Sequence, residues 1–308
     1  MPNLTPKSSQ DYQKLSSRKL QNREQQLKKS RFLSSIKKKT PRFVRQGINA
    51  LHSIADPILR QNYQKQHDWD RPIPPLQLRI ITSDRTIDGY VRSGKCIVNS
   101  FAEELRKCGL ELDRFRNILD FGCGAGRQIQ YLSAYRQANL TGCDPNEAHI
   151  KWLSRNYPAV DFYQTNFNPP LPFADKSFDL IYSVSVFTHL SEKLQFDWLK
   201  ELKRVLKPQG IALITSLGEY AAKRNDITGI NRNLHEQLIA EDLVFKLTPG
   251  TRSLNQFINP QALLEEEMYG LTYHSHKYIA ENWSKYFEVI NIVPGCISDL
   301  QDLVILQK

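Results

Sequence analysis

Three glycines at alternate positions, Gly122, Gly124 and Gly126, follow the apolar run Ile118-Leu119-Asp120-Phe121. Glycine accepts positive φ and lets a backbone pass close to a ligand where a Cβ would intrude. Asp120 precedes this loop, and Asp144 ends the next apolar run, in Gly142-Cys143-Asp144-Pro145. A carboxylate at a strand end beside a glycine loop can accept hydrogen bonds from a ribose diol. The set therefore predicts a nucleoside-cofactor site, against the plainer readings of a strand-to-helix turn and, for Asp144, a cap on the helix that begins at Asn146. The dinucleotide fingerprint puts its third glycine one residue later, under a pyrophosphate. Arg127 occupies that position here, so the loop suits a ligand without a pyrophosphate.

The elements that must hold these residues alternate along the chain. Strands are expected near 116–121, 139–143, 160–164, 178–184 and 210–216, with helices near 98–110, 126–137, 146–156 and 191–206. Such alternation implies a parallel sheet with helices on both faces. Phe287–Val293 and Asp302–Leu306 are two strands joined through Pro294-Gly295 with no room for a crossover helix, so they should pair as a hairpin. Glu219 to Tyr273 is too long for a simple connection and reads as a helical cap containing a Thr248-Pro249-Gly250-Thr251 turn. It leaves from the ligand-binding edge of the sheet, where acceptor specificity belongs.

The run Leu119-Asp120-Phe121-Gly122-Cys123-Gly124-Ala125-Gly126 resembles the first motif of the class I S-adenosylmethionine-dependent methyltransferases. Later segments fall in that family's order: Leu171-Pro172-Phe173-Ala174-Asp175-Lys176-Ser177-Phe178, Phe178 to Leu190, and Leu202 to Gly210. The resemblance implies an α/β fold, a Rossmann-like three-layer sandwich on a seven-stranded, mostly parallel sheet whose last strand is antiparallel. It implies S-adenosyl-L-methionine as methyl donor. Gly122, Cys123, Gly124 and Gly126 would form the donor loop, Asp120 would lie near the donor's amino-acid portion, and Asp144 with Pro145 would hold the ribose side. Asn166 and Phe167 would stand beside the adenine, and Ser183 to Ser185 near the methionine end. Residues 72–308 further resemble a bacterial subgroup of small methyltransferases often associated with sugar and secondary-metabolite assembly. That points to a hydroxyl on a small molecule or saccharide as acceptor.

Methyl transfer from a sulfonium needs in-line placement, and a hydroxyl acceptor also needs its proton removed. His189, in the segment after the fourth strand, His274 and Glu219 are the candidate bases. For His189 the alternative is capping or packing under the helix that begins near Ser191; for His274, with His276, it is a surface helix start. Asn168-Pro169-Pro170-Leu171 looks like the Asn/Asp-Pro-Pro-Tyr motif of amino-directed methyltransferases. It precedes the fourth strand instead of following it and ends in leucine, so it reads as a rigid loop.

The charge map divides the chain. Residues 1–67 carry fifteen Lys/Arg against three acids, so this segment holds the whole basic excess of the +10 net charge. Residues 1–70 read as a basic N-terminal extension, disordered in its first forty residues, with an amphipathic helix near 42–60 marked by Val44, Ile48, Leu51, Ala55 and Ile58. That helix suits its own domain, an anionic membrane surface or a protein partner; nucleic acid is the weaker expectation, since aromatics are not interleaved with the lysines. Arg71-Pro72-Ile73-Pro74-Pro75 marks a boundary to a methyltransferase domain at 71–308, with its cap near 219–273. The five cysteines are odd in number and lack a Cys-x-x-Cys pair, which implies neither a disulfide framework nor a metal site. A cytoplasmic location, peripheral to a membrane if the helix binds one, is expected, with an organelle transit peptide as the alternative reading of the Lys/Ser-rich start.

Overall fold

In the computed structural model, residues 42–82, 86–133, 137–228, 233–247 and 270–308 are described. The expected tail over 1–40 and the Thr248–Thr251 turn lie outside them. The chain divides into Met1–Ile54 and Ala55–Lys308, and the seven-stranded sheet belongs to the second unit. The long helix α1 (Arg42–His67) enters it at Ala55. Arg79 is buried with Asp56, its Nη2 2.6 Å from Oδ1, which ties α1 to α2 (Leu76–Thr82).

Helix α3 (Ile87–Lys107) begins earlier than its apolar spacing suggests, because the Thr86 side chain accepts a hydrogen bond from the Gly89 N–H and caps it. Then come β1 (Asn117–Phe121), a short α4 (Ile129–Leu132), β2 (Asn139–Asp144), α5 (Glu147–Asn156) and β3 (Asp161–Gln164). They are followed by β4 (Phe178–Ser183), α6 (Glu192–Val205) and β5 (Leu206–Ser216). The helix expected over 126–137 is shorter, since Gly126 has φ +77° and residues 124–128 turn before α4 starts.

Side chains along the central strands alternate between two cores. Ile118, Leu180, Tyr182, Ile211, Leu213 and Ile305 join α3 and α5 residues such as Phe101, Leu105 and Leu153. Leu119, Phe121, Ile181, Ala212, Ile214 and Val304 join α6 residues such as Trp198, Leu199 and Leu202 on the other face. Burial on both faces is what a parallel sheet between helix layers requires. The result is a three-layer sandwich.

The last strands are β8 (Glu288–Ile297) and β9 (Gln301–Gln307), and the seven-stranded sheet runs β3-β2-β1-β4-β5-β9-β8. β9 is antiparallel to both neighbours, as the resemblance implies. The hairpin turn is displaced from Pro294-Gly295. Those residues lie inside edge strand β8, at a register irregularity between Val293 and Ile297, where a missing N–H is tolerated. The bend falls at Ser298 and Asp299, with φ +56° and +54°.

The expected cap is only partly helical. Helices α7 (Glu219–Thr228) and α8 (Leu234–Glu241) lead into β6 (Leu243–Lys246), which pairs antiparallel with β7 (Leu271–His274). Helix α9 (His276–Asn282) follows, capped by Ser275, whose Oγ accepts from the Tyr278 N–H. His274 therefore ends a strand, while the helix start expected there begins at His276. Among the described residues no helix is long and apolar enough to cross a membrane.

Candidate functional site

Strand order reverses between β1 and β4, and at such a switch point the connections leave in opposite directions and open a crevice at the strand ends. A cavity of ≈ 330 Å³ lies there. Its walls come from the segments after four strands: Phe121–Gly124 after β1, Asp144–Asn146 after β2, Thr165–Phe167 after β3 and Val184–Val186 after β4. The sequence-expected residues Gly122, Cys123, Gly124, Asp144, Pro145, Asn166, Phe167 and His189 all line it.

The glycine loop is shaped from outside the cavity as much as by it. The Cys143 carbonyl accepts from the Gly122 and Cys123 N–H groups at 2.9 and 3.0 Å. Gly122 has φ +80°, and a Cβ there would stand 2.3 Å from Val186 Cγ2. Gly126 has φ +77°, and its Cβ would meet Leu153 Cδ2 of α5 at 2.5 Å. So two of the glycines admit neighbouring side chains, and Gly126 does not line the cavity. From behind, α3 closes on the loop through Gly94, whose Cβ would lie 2.2 Å from the Arg127 carbonyl oxygen, and through the Tyr90 hydroxyl, which donates to Ala125 O at 2.8 Å.

Asp144 joins the loop to α5. Its Oδ2 accepts from the Gly124 N–H at 2.9 Å and its Oδ1 from the Asn146 N–H at 2.8 Å. The helix cap is Asn146 itself, which accepts from Ala148 and His149 N–H. Asp144 is thus held by two amides with carboxylate lone pairs still available to a ligand.

Asp120, beneath the loop, is 1% exposed and does not line the cavity. Burial pushes its carboxyl up to about 8, and the nearby Asp144 charge adds to this; the Tyr182 hydroxyl and Arg127 oppose it. Tyr182 lies close enough to favour the carboxylate, yet neither its hydroxyl nor Asp120 Oδ2 meets hydrogen-bond geometry with any group. Ser183 Oγ is likewise buried and unpartnered, outside the lining.

The three candidate bases separate. His189 lines the cavity, and its Nδ1 lies 2.8 Å from Gly270 O. A carbonyl can only accept, so Nδ1 carries the hydrogen and Nε2 is the basic nitrogen of the neutral ring. Burial lowers its pKa, against the hydrogen bond to Gly270. His274 is fully buried on β7 against Tyr278 and Trp283, bonded through Nε2 to Gln195 Oε1 at 2.8 Å. Burial lowers it to about 3. Glu219 opens α7 and accepts from the His276 N–H at 3.2 Å. The structure brings neither His274 nor Glu219 to the cavity wall.

Ile80, Gln128, His149, Trp198 and Gln301 also line the cavity and were not singled out from the sequence. Gln128 lies in the turn before α4, and the others lie on helices or a strand whose apolar pattern hides them. Gln128 Nε2 is buried without a partner, a donor offered to an anionic group. Ser185, with φ +61°, gives its N–H to Thr215 Oγ1 at 2.8 Å and receives Gln301 Nε2 on Oγ at 2.7 Å. A non-glycine residue held at positive φ on a cavity wall is the kind of local strain that functional sites retain.

Comparison with known proteins bears on this cavity. Residues 119–214 match a methyltransferase-domain family model. A probable S-adenosylmethionine-dependent methyltransferase of Mycolicibacterium smegmatis is 32% identical over 101 residues, 33% of this chain and 38% of that protein. Human probable tRNA methyltransferase 9B is 33% identical over 130 residues, 40% of this chain and 27% of that one. The chain thus spans less than two fifths of the length of either relative. Among solved structures, human N-acetylserotonin methyltransferase in complex with SAM is 16% identical with a TM-score of 0.44, covering 70% of this chain and 51% of that chain.

Proposed function

Because this chain carries a class I S-adenosylmethionine-dependent methyltransferase domain, we propose that it transfers a methyl group to a hydroxyl of a small molecule or saccharide, with His189 as general base. The observation that carries this reading is the neutral, tautomer-fixed imidazole of His189 on the wall of the cavity that also holds the glycine loop and Asp144.

The residues fit the donor. The Asp144 carboxylate at the wall suits a ligand bearing a ribose diol, and the unpartnered Gln128 amide suits a ligand carboxylate. Bound S-adenosylmethionine supplies an electrophilic methyl on a sulfonium. Gly124 and Asp144 would hold the nucleoside end, with Asn166 and Phe167 beside the base. His189 Nε2 would take the acceptor's proton as the oxygen attacks, and the Gly270 carbonyl would steady the imidazolium that forms. Ile80, Phe167, Val186 and Trp198 supply the apolar wall that keeps water from competing.

An RNA acceptor is the second reading. It is favoured by the concentration of fifteen Lys/Arg in residues 1–67 and by the likeness to a protein named as a probable tRNA methyltransferase. Incubating the full chain with methyl-labelled donor and, in parallel, bacterial small-molecule extract and total tRNA tests both. Label in a small hydroxyl compound, lost in His189→Gln, supports the first. Label in tRNA that falls steeply with salt supports the second. Donor binding without turnover on any acceptor would leave a donor-binding module in place of an enzyme.

A further inference from the structure

His149 sits on the first turn of α5, 1% exposed, at the cavity wall beside Asp144. Its Nε2 lies 3.2 Å from Leu78 O. That carbonyl has no hydrogen to give, so Nε2 carries the hydrogen. Its Nδ1 is buried without a hydrogen-bond partner, 3.5 Å from Asp144 Oδ1. In the neutral ring the Nδ1 lone pair therefore stands beside a carboxylate oxygen that already accepts from the Asn146 amide. Two acceptors set side by side, one with no donor at all, describe a place that lacks hydroxyl hydrogens.

We propose that His149 Nδ1 is the second acceptor for the donor's ribose diol, so that one hydroxyl bonds Asp144 and the other His149. This rests on the donor assigned above. Two cis hydroxyls offer two hydrogens, and Asp144 and His149 receive one each. The tautomer is set from outside the cavity: Leu78 is on α2, and the next residue, Arg79, is locked by Asp56 of α1. His149 is thus a specificity residue that reads one hydroxyl of the nucleoside while Asp144 reads the other.

The test is calorimetric titration of the full chain with S-adenosylhomocysteine and with its 2′-deoxy and 3′-deoxy counterparts. In the wild type, removing the hydroxyl that faces His149 weakens binding about five- to ten-fold, the worth of one buried hydrogen bond. In His149→Phe the parent ligand weakens by a similar factor, and the penalty for that deoxy ligand shrinks below about two-fold. A merely structural role would weaken all three ligands equally, and that outcome overturns the proposal. Should His149→Phe not fold, the ¹⁵N resonance of His149 Nδ1 in the wild type replaces it. A shift with the parent ligand that one deoxy ligand fails to produce supports the proposal, and identical responses to all three overturn it. Wild-type protein that binds none of the three ligands overturns the donor assignment and this inference together.

Discussion

Replacing Asp120 by asparagine should make the folded chain more resistant to unfolding at neutral pH. Asp120 is 1% exposed, and its Oδ2 has no hydrogen-bond partner. Burial first, then the Asp144 charge, raises its carboxyl from 3.8 to about 8. Between those values the native state keeps a proton that the unfolded chain has released, so stability falls as pH rises through the window and levels above about 8. At pH 7 about three pH units of that window have been crossed, at about 1.4 kcal/mol each, for a cost on the order of 4 kcal/mol. Asparagine has nearly the same shape and no proton to lose. Urea unfolding of both proteins at pH 4.5 and pH 7.5, followed by tryptophan fluorescence, should show the asparagine variant gaining roughly 3–4 kcal/mol relative to wild type between the two. A gap that stays constant with pH would refute the reasoning.

Three further outcomes are expected. His274, lowered by burial to about 3, contributes stability that is full above about pH 6.5 and is lost as pH falls toward 3; measured against His274→Gln, which shares the opposing Asp120 slope, wild type should lose about 2 kcal/mol between pH 7 and 5 in urea unfolding. Gly126→Ala places a Cβ 2.5 Å from Leu153 Cδ2 at φ +77°, and should cost about 2–4 kcal/mol in unfolding free energy. Asp56→Ala removes the carboxylate from the buried Arg79 guanidinium and should destabilise by about 3–5 kcal/mol, whereas Asp88→Ala, which breaks an exposed pair with Arg92, should leave the thermal midpoint unchanged.

The sheet and the glycine-loop side of the cavity were legible in the sequence because both are written in local signals. Buried parallel strands are short apolar runs, and Gly122 to Gly126 with Asp144 is a pattern at fixed spacing. The hairpin pairing of Phe287–Val293 with Asp302–Leu306 was also readable, but its turn was not: Pro294-Gly295 is a stronger turn signal than Ser298-Asp299, and tertiary pairing of the edge strand overrode it. Long-range contacts left no mark either. Gln301 meets Ser185 across 116 positions, and His149 meets Leu78 across 71. His274 looked like a surface histidine because nothing local announces that Gln195, 79 residues away, will bury it.

The two glycines filled by Val186 and Leu153 have a consequence for how lineages of such domains diverge. Gly122 and Gly126 answer to the protein's own packing, so a descendant that abandoned methyl transfer would still be punished for replacing them. Gln128, whose amide nitrogen has no partner within the protein, faces the cavity and would be released to drift. Among relatives, the glycine signature should therefore outlive the activity, and the residues to compare when sorting working enzymes from retired ones are the polar side chains of the wall that have no partner within the protein.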